Sequence, residues 1–185
     1  MNTPNKITVF RMFIAPVFLV IFFLNIEHKM LISALIFALG AITDAIDGHL
    51  ARKNNIVTNF GKFLDPIADK MLVTAAFLAF MQVGICNIWI VMLMITREFA
   101  ITSVRLIAAA QGVVIPANIG GKIKTVFQMV SLISIMVIGE INEVFSLGLP
   151  LSVISNVMLG ITAVISVVSG LVYLWDSRKV IDFKS

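Results

Sequence analysis

The sequence predicts an all-α integral membrane protein: a six-transmembrane-helix bundle with both termini in the cytoplasm. Three observations point there. Of 185 residues, 59% are hydrophobic and only 13% are charged, where a soluble domain carries about 25% charged residues. The apolar residues form long unbroken runs, not the ~10-residue alternating segments of an outer-membrane barrel. The runs fill nearly the whole chain, and a membrane-spanning helix needs about 20 residues. The length and a mean hydropathy of +1.04 fit a single membrane domain over 1–185 with almost nothing outside the bilayer.

The six runs cover residues 9–24, 30–50, 63–83, 88–110, 126–139 and 149–175. No signal-peptide cleavage pattern follows the first, so it belongs to the bundle. The second ends near Arg52 and the third starts near Gly61. Pro66 either loosens the first turns of the third helix or begins that helix with Asp65 as its cap. The fourth carries Arg97, Glu98 and Arg105. The fifth reaches a full span only if it starts near Asn118, with Lys122 and Lys124 in its first turns. The sixth spaces Ser152, Asn156 and Gly160, then Thr162, Ser166 and Gly170, at intervals of four. That stripe suits close packing, within a subunit or across a dimer seam. Trp175 and Phe183 read as interfacial anchors of a basic tail.

Orientation follows from lysine and arginine. One side gathers Lys6, Arg11, Arg52, Lys53, Lys62, Lys122, Lys124, Arg178, Lys179 and Lys184. The other holds Lys29 with Glu27, Glu140 and Glu143. The basic side is placed in the cytoplasm. The net charge of +4 then reads as a rim facing anionic headgroups and calls for no nucleic acid. The lone cysteine, Cys86, cannot form an internal disulfide or a thiolate cage. His28 and His49 read as isolated residues outside any metal site.

Four carboxylates in or beside apolar runs need a reason to be there. Asp47 lies five residues before Arg52 and Asp65 four after Gly61, so both sit roughly 6–8 Å inside their helix ends at about 1.5 Å per residue. Asp44 and Asp69 lie one turn deeper. Spacings of three and four put each pair on one helix face. Two acidic pairs can therefore face each other across an antiparallel helix seam. Their oxygens and summed charge suit two hard divalent cations such as Mg²⁺, Mn²⁺ or Ca²⁺. Gly48 and Gly61 leave backbone uncovered beside the acids, and Arg52 adds a cation suited to phosphate. Internal ion pairs with Lys62, Lys70 or Arg52 would make poor use of acids paired this way.

As a string, Asp44-x2-Asp47-Gly48-x2-Ala51-Arg52-x8-Gly61-x3-Asp65-x3-Asp69 resembles the signature of the CDP-alcohol phosphotransferase family. The resemblance extends to Pro4-Asn5-x2-Thr8-x2-Arg11 with Pro16, to Arg97-Glu98-Phe99 and Arg105, and to 118–125 with Gln128. Those stretches are similar to the branch that forms phosphatidylglycerophosphate. It implies a homodimeric membrane enzyme with two divalent cations, Mg²⁺ or Mn²⁺, held by Asp44, Asp47, Asp65 and Asp69, with Asp69 also the general base. It implies CDP-diacylglycerol as donor, bound by Gly48, Arg52, Thr58 and Gly61, with Thr8 and Arg11 lining the same pocket. The acceptor would be glycerol 3-phosphate, with CMP released. Its phosphate would meet Arg97 and Arg105 on a shared face of the fourth helix and Lys122 and Lys124 at the start of the fifth, where free N–H groups favour anions. Arg97 and Glu98, about 100° apart on the helix, are not expected to pair.

Inositol phosphate or a similar alcohol remains an alternative acceptor, since the cations specify only an anionic one. A membrane prenyltransferase fits poorly, because Thr43 precedes Asp44 where those motifs carry Asn-Asp. A cation transporter also fits poorly: the four aspartates cluster at one end, and only Glu98 extends an acidic route. A bacterial plasma membrane, with the active site towards the cytoplasm, is the expected location.

Overall fold

The computed structural model describes residues 3–54, 59–111 and 119–178. It is all-α, with six helices in chain order: α1 Thr3–Phe23, α2 Lys29–Asn54, α3 Asn59–Gln82, α4 Ile88–Ala110, α5 Ile119–Val144 and α6 Leu151–Ser177. Each overlaps one of the six apolar runs over most of its length. α5 starts at Ile119, so Lys122 and Lys124 do fall in its first turns. One reading of the third run is corrected. α3 begins at Asn59 and passes through Pro66, so Pro66 does not start the helix and Asp65 is not its cap. As the eighth residue of α3, Pro66 lacks the N–H that would bond back to residue 62, so the helix runs through it one hydrogen bond short.

α5 and α6 are long and apolar enough to cross a membrane. Many large apolar side chains face outward along the bundle, among them Trp89, Phe13, Phe99, Val164 and Leu171. Exposed apolar surface on this scale marks contact with something other than water.

The helices pack in two overlapping groups. α1 lies against α2 and α3, while α6 lies against α4 and α5, and α2 also meets α5. Phe18, Phe37 and Phe80 are fully buried where α1, α2 and α3 meet, with the Phe18 and Phe37 rings edge to face at 6.1 Å. Leu132, Ile135, Met136 and Leu159 fill the α5–α6 side. Two glycines allow the closest approaches. A Cβ on Gly40 of α2 would stand 2.5 Å from Leu72 Cδ2 of α3, and one on Gly139 of α5 would overlap Met30 Sδ of α2.

Polar residues finish the joints. Ser131 and Thr162 hydroxyls meet at 3.0 Å between α5 and α6. The Asn87 side chain caps α4 through Trp89 N–H, and its own N–H donates to Asn156 Oδ1 at 2.7 Å. His28 is not isolated: its Nδ1 lies 2.6 Å from Glu140 Oε1. The α6 stripe is divided in use. Thr162, Ser166 and Gly170 are buried inside the chain, against α5 and α4.

Candidate active site

The Gly40–Leu72 contact fixes the register of α2 against α3. Asp44 and Asp47 follow Gly40 towards the end of α2, and Asp65 and Asp69 precede Leu72 from the start of α3. Residues 55–58 join those two ends. Both acidic pairs are thus carried on the same side of the contact, on antiparallel neighbouring helices. For Thr8, Asp44, Asp47, Gly48, Arg52, Gly61, Asp65 and Asp69 the description stops at the helix that carries each, and Thr58 lies outside the described residues. The donor chemistry fits a metal: four carboxylates form an all-oxygen set with a formal charge that two hard divalent cations balance. No other group of three or more potential ligands occurs among the described residues.

Arg11 of α1 reaches this region. It is buried and borders a small pocket with Gly40, Ala41, Ala68 and Leu72, next to the backbone that carries Asp69. A buried guanidinium beside an acid-rich helix end is suited to an anionic group held there.

The cations expected to meet the acceptor do not share one cavity among the described residues. Arg97 turns towards α6. Its Nε donates to Ser166 O and an Nη to Ser169 Oγ, both at 3.1 Å, while the other Nη donates to Glu98 Oε1 at 3.2 Å. The expectation that Arg97 and Glu98 would not pair is therefore corrected. Both side chains are long enough to close the 100° between their Cα directions. Gly170 of α6 makes the space, since a Cβ there would lie 3.1 Å from Arg97 Cγ. Arg105 does share this face: its Nε donates to Tyr173 Oη at 3.3 Å, with the guanidinium 5.2 Å from the ring centroid. Lys122 is exposed, whereas Lys124 is buried and donates to Glu98 Oε1.

Lys124 lines a small cavity of about 60 Å³, partly open to the outside, between α3, α4 and α5. Its polar border is Lys70, Thr74, Glu98, Lys124, Thr125 and Gln128. Lys70 is the residue that the sequence reading passed over as a site, having weighed it only as an ion-pair partner. Its signal was its place directly after Asp69, with Val73, Thr74 and Phe77 continuing the same helix face. Lys70, Thr74 and Phe99 also border a wider, almost wholly apolar groove between α1, α3 and α4.

The profile of the CDP-alcohol phosphatidyltransferases matches residues 1–173. The chain belongs to the CDP-alcohol phosphatidyltransferase family. Relatives of similar length agree with this. A Bacillus subtilis protein named CDP-diacylglycerol–glycerol-3-phosphate 3-phosphatidyltransferase is 37% identical, covering 96% of this chain and 97% of its own. A Rickettsia bellii protein of the same name is 34% identical over 96% of both chains. A Mycobacterium tuberculosis protein named probable phosphatidylglycerophosphate synthase is 37% identical over 94% of this chain and 80% of its own. The family's chemistry, phosphatidyl transfer from a CDP-linked donor, is therefore the frame for the two acidic pairs and the cation-lined cavity beside them.

Proposed function

We propose that the protein transfers the phosphatidyl group of CDP-diacylglycerol to sn-glycerol 3-phosphate, giving phosphatidylglycerophosphate and CMP. The observation that carries this reading is the end-to-end similarity to relatives bearing that activity in their names. The cavity supports it, because a buried lysine near the start of α5 beside the acid-bearing helix suits a phosphorylated acceptor. The groove between α1, α3 and α4 offers apolar surface for a lipid beside the same helix.

In this mechanism Asp44, Asp47, Asp65 and Asp69 would hold two Mg²⁺ or Mn²⁺ ions. When bound, these supply positive charge to the pyrophosphate and to the transition state of an in-line displacement. Asp69 takes the proton from the primary hydroxyl of glycerol 3-phosphate. That oxygen bonds to the phosphorus that carries diacylglycerol, and the bond from this phosphorus to CMP breaks. Gly48, Arg52, Thr58, Gly61, Thr8 and Arg11 hold the CDP end of the donor. Lys124 binds the acceptor phosphate, with Lys122, Arg97 and Arg105 nearby on α5 and α4.

The setting we propose is a single membrane domain over 1–185. In this setting six spans would put both termini and the acidic helix ends at the cytoplasmic face of a bacterial plasma membrane, and the enzyme would work as a homodimer. A lipid donor and a water-borne acceptor meet naturally at such an interface.

The test is CMP release by purified protein given CDP-diacylglycerol and a panel of acceptors: glycerol 3-phosphate, inositol phosphate, serine and glycerol. Release that depends on glycerol 3-phosphate, stops with EDTA and is lost in Asp69→Asn is the expected result. Release driven equally by another acceptor would overturn the assignment, and wild-type turnover by Asp69→Asn would overturn the base.

A further inference from the structure

We propose that Lys70 is a phosphate-binding residue of the acceptor site and that Glu98 is the positioning residue that holds its partner, Lys124, at the cavity between α3, α4 and α5. This deepens the function proposed above and rests on the acceptor being a phosphate monoester.

Four observations converge. Lys70 is partly buried and lines the cavity, where it makes no hydrogen bond among the described residues and its charge faces that of Glu98, which already pairs with Arg97 and Lys124. Arg97, by contrast, has its three donor nitrogens engaged by Ser166, Ser169 and Glu98. A half-buried ammonium gains most from an anion that arrives with the ligand.

Position on α3 gives the second argument. Lys70, Thr74 and Phe77 follow the helical repeat along the cavity wall. Asp69 is the preceding residue, about 100° around the same helix turn. The proposed base and the phosphate-binding lysine thus occupy adjoining faces of α3 at one depth. A glycerol phosphate presents its own two ends in that way, with a phosphate and a reacting hydroxyl separated by a short carbon chain.

The third argument is charge. Glu98 accepts from both Arg97 and Lys124 and borders the cavity with Lys70. On the cavity wall one carboxylate stands with two lysines, a net charge of +1, and Arg97 behind Glu98 offsets that carboxylate further, so the wall favours an anionic ligand. Because Arg97 is pinned to α6, Glu98 ties Lys124 to a fixed point of the bundle. Without that tie the two lysines would repel each other in a poorly solvated cavity.

Gln128 supplies the fourth. The residue is 3% exposed and lines the same cavity, so its amide can meet a hydroxyl of the same ligand.

The test compares wild type, Lys70→Met, Lys70→Arg and Glu98→Gln as purified full-length proteins. Two readouts are used: steady-state KM for each substrate, and thermal stabilisation by glycerol 3-phosphate or inorganic phosphate without donor. Lys70→Met is expected to raise KM for glycerol 3-phosphate about tenfold or more, the worth of one charge-assisted hydrogen bond. Its KM for CDP-diacylglycerol should stay within about twofold, phosphate stabilisation should vanish, and Lys70→Arg should restore most of both. Glu98→Gln should raise the acceptor KM with the donor KM unchanged. An unchanged acceptor KM in Lys70→Met, or donor and acceptor KM rising together, overturns the proposal. Should Lys70→Met fail to fold, loss of phosphate stabilisation in Glu98→Gln decides, and its retention overturns the positioning role. Wild-type protein that ignores glycerol 3-phosphate would instead sink the proposed function itself.

Discussion

Glu140 Oε1 lies 2.6 Å from Nδ1 of His28, while its Oε2 accepts from the backbone N–H of Leu31 at 3.1 Å. One carboxylate of α5 thereby caps the first turn of α2. α2 has no acidic residue of its own there, so a neighbouring helix supplies the negative charge that a helix N-terminus favours. Glu140 is 8% exposed and His28 58%, which sets the order of their importance. Glu140→Ala leaves a helix-end N–H without its partner and should cost about 1–3 kcal/mol. In detergent that is a fall in melting temperature of roughly 2–4 °C per kcal/mol. His28→Ala removes an exposed contact and should cost less than about 1 kcal/mol. Thermal melts of the two variants check this, and equal melting temperatures for Glu140→Ala and wild type would refute it.

Gly40 links packing to the acidic pairs. It lets α2 approach Leu72 of α3 and Ile14 of α1. Alanine there needs only the tip of Leu72 to move. Leucine would wedge α2 from α3 at a cost of about 1–3 kcal/mol. Since the acidic pairs lie just beyond that contact, Gly40→Leu should lose activity well below its melting temperature, and Gly40→Ala should keep most of it. CMP release at a temperature where both variants are folded is the measurement.

The helices were legible because their signal is long and repeated: six apolar runs gave six helices, and the start of α5 followed from Asn118 onwards. Pro66 was misread as a possible helix start because local backbone rules favour proline in the first turn, while the helix extends upstream to Asn59. The aspartates stood out because carboxylates in an apolar chain are conspicuous and their spacing is helical, and α2 and α3 do carry them. The acceptor cations were less so. Which way Arg97 turns depends on Ser166, Ser169 and Gly170, about seventy residues away, and local spacing holds no record of α6. For the same reason the His28–Glu140 contact, 112 residues apart in sequence, could not be seen in the string.

Cys86, in the connection between α3 and α4, is 6% exposed. Burial pushes its thiol up from an ordinary value near 9.0 to about 11. The thiolate is the reactive form, and such a rise leaves roughly a hundredth as much of it at pH 8. Alkylation of folded protein by iodoacetamide should therefore be about a hundredfold slower than that of a free thiol at pH 8. It should climb only as pH approaches 11. Fast labelling at neutral pH, in protein shown to be folded by its melting curve, would contradict this environment for the thiol.

Metal dependence should appear in stability as well as in turnover. Four carboxylates brought together without counter-charge repel one another. Mn²⁺ or Mg²⁺ binding only the folded protein should therefore stabilise it, by about 2.7 kcal/mol at a hundred times its dissociation constant. Replacing one aspartate with asparagine removes a charged donor but keeps the size, so each variant should fold yet respond less to metal. Asp44→Asn and Asp65→Asn, one from each helix, should both lose most of the Mn²⁺-induced rise in melting temperature. Both should also lose CMP release by about a hundredfold or more, because the charge supplied to the pyrophosphate goes with the metal. The stability arm separates a failed site from failed chemistry. If Asp44→Asn abolishes turnover while keeping the full Mn²⁺ response, that residue acts on substrate and is not a ligand. If neither variant changes the response, the acidic pairs on α2 and α3 do not form one metal site.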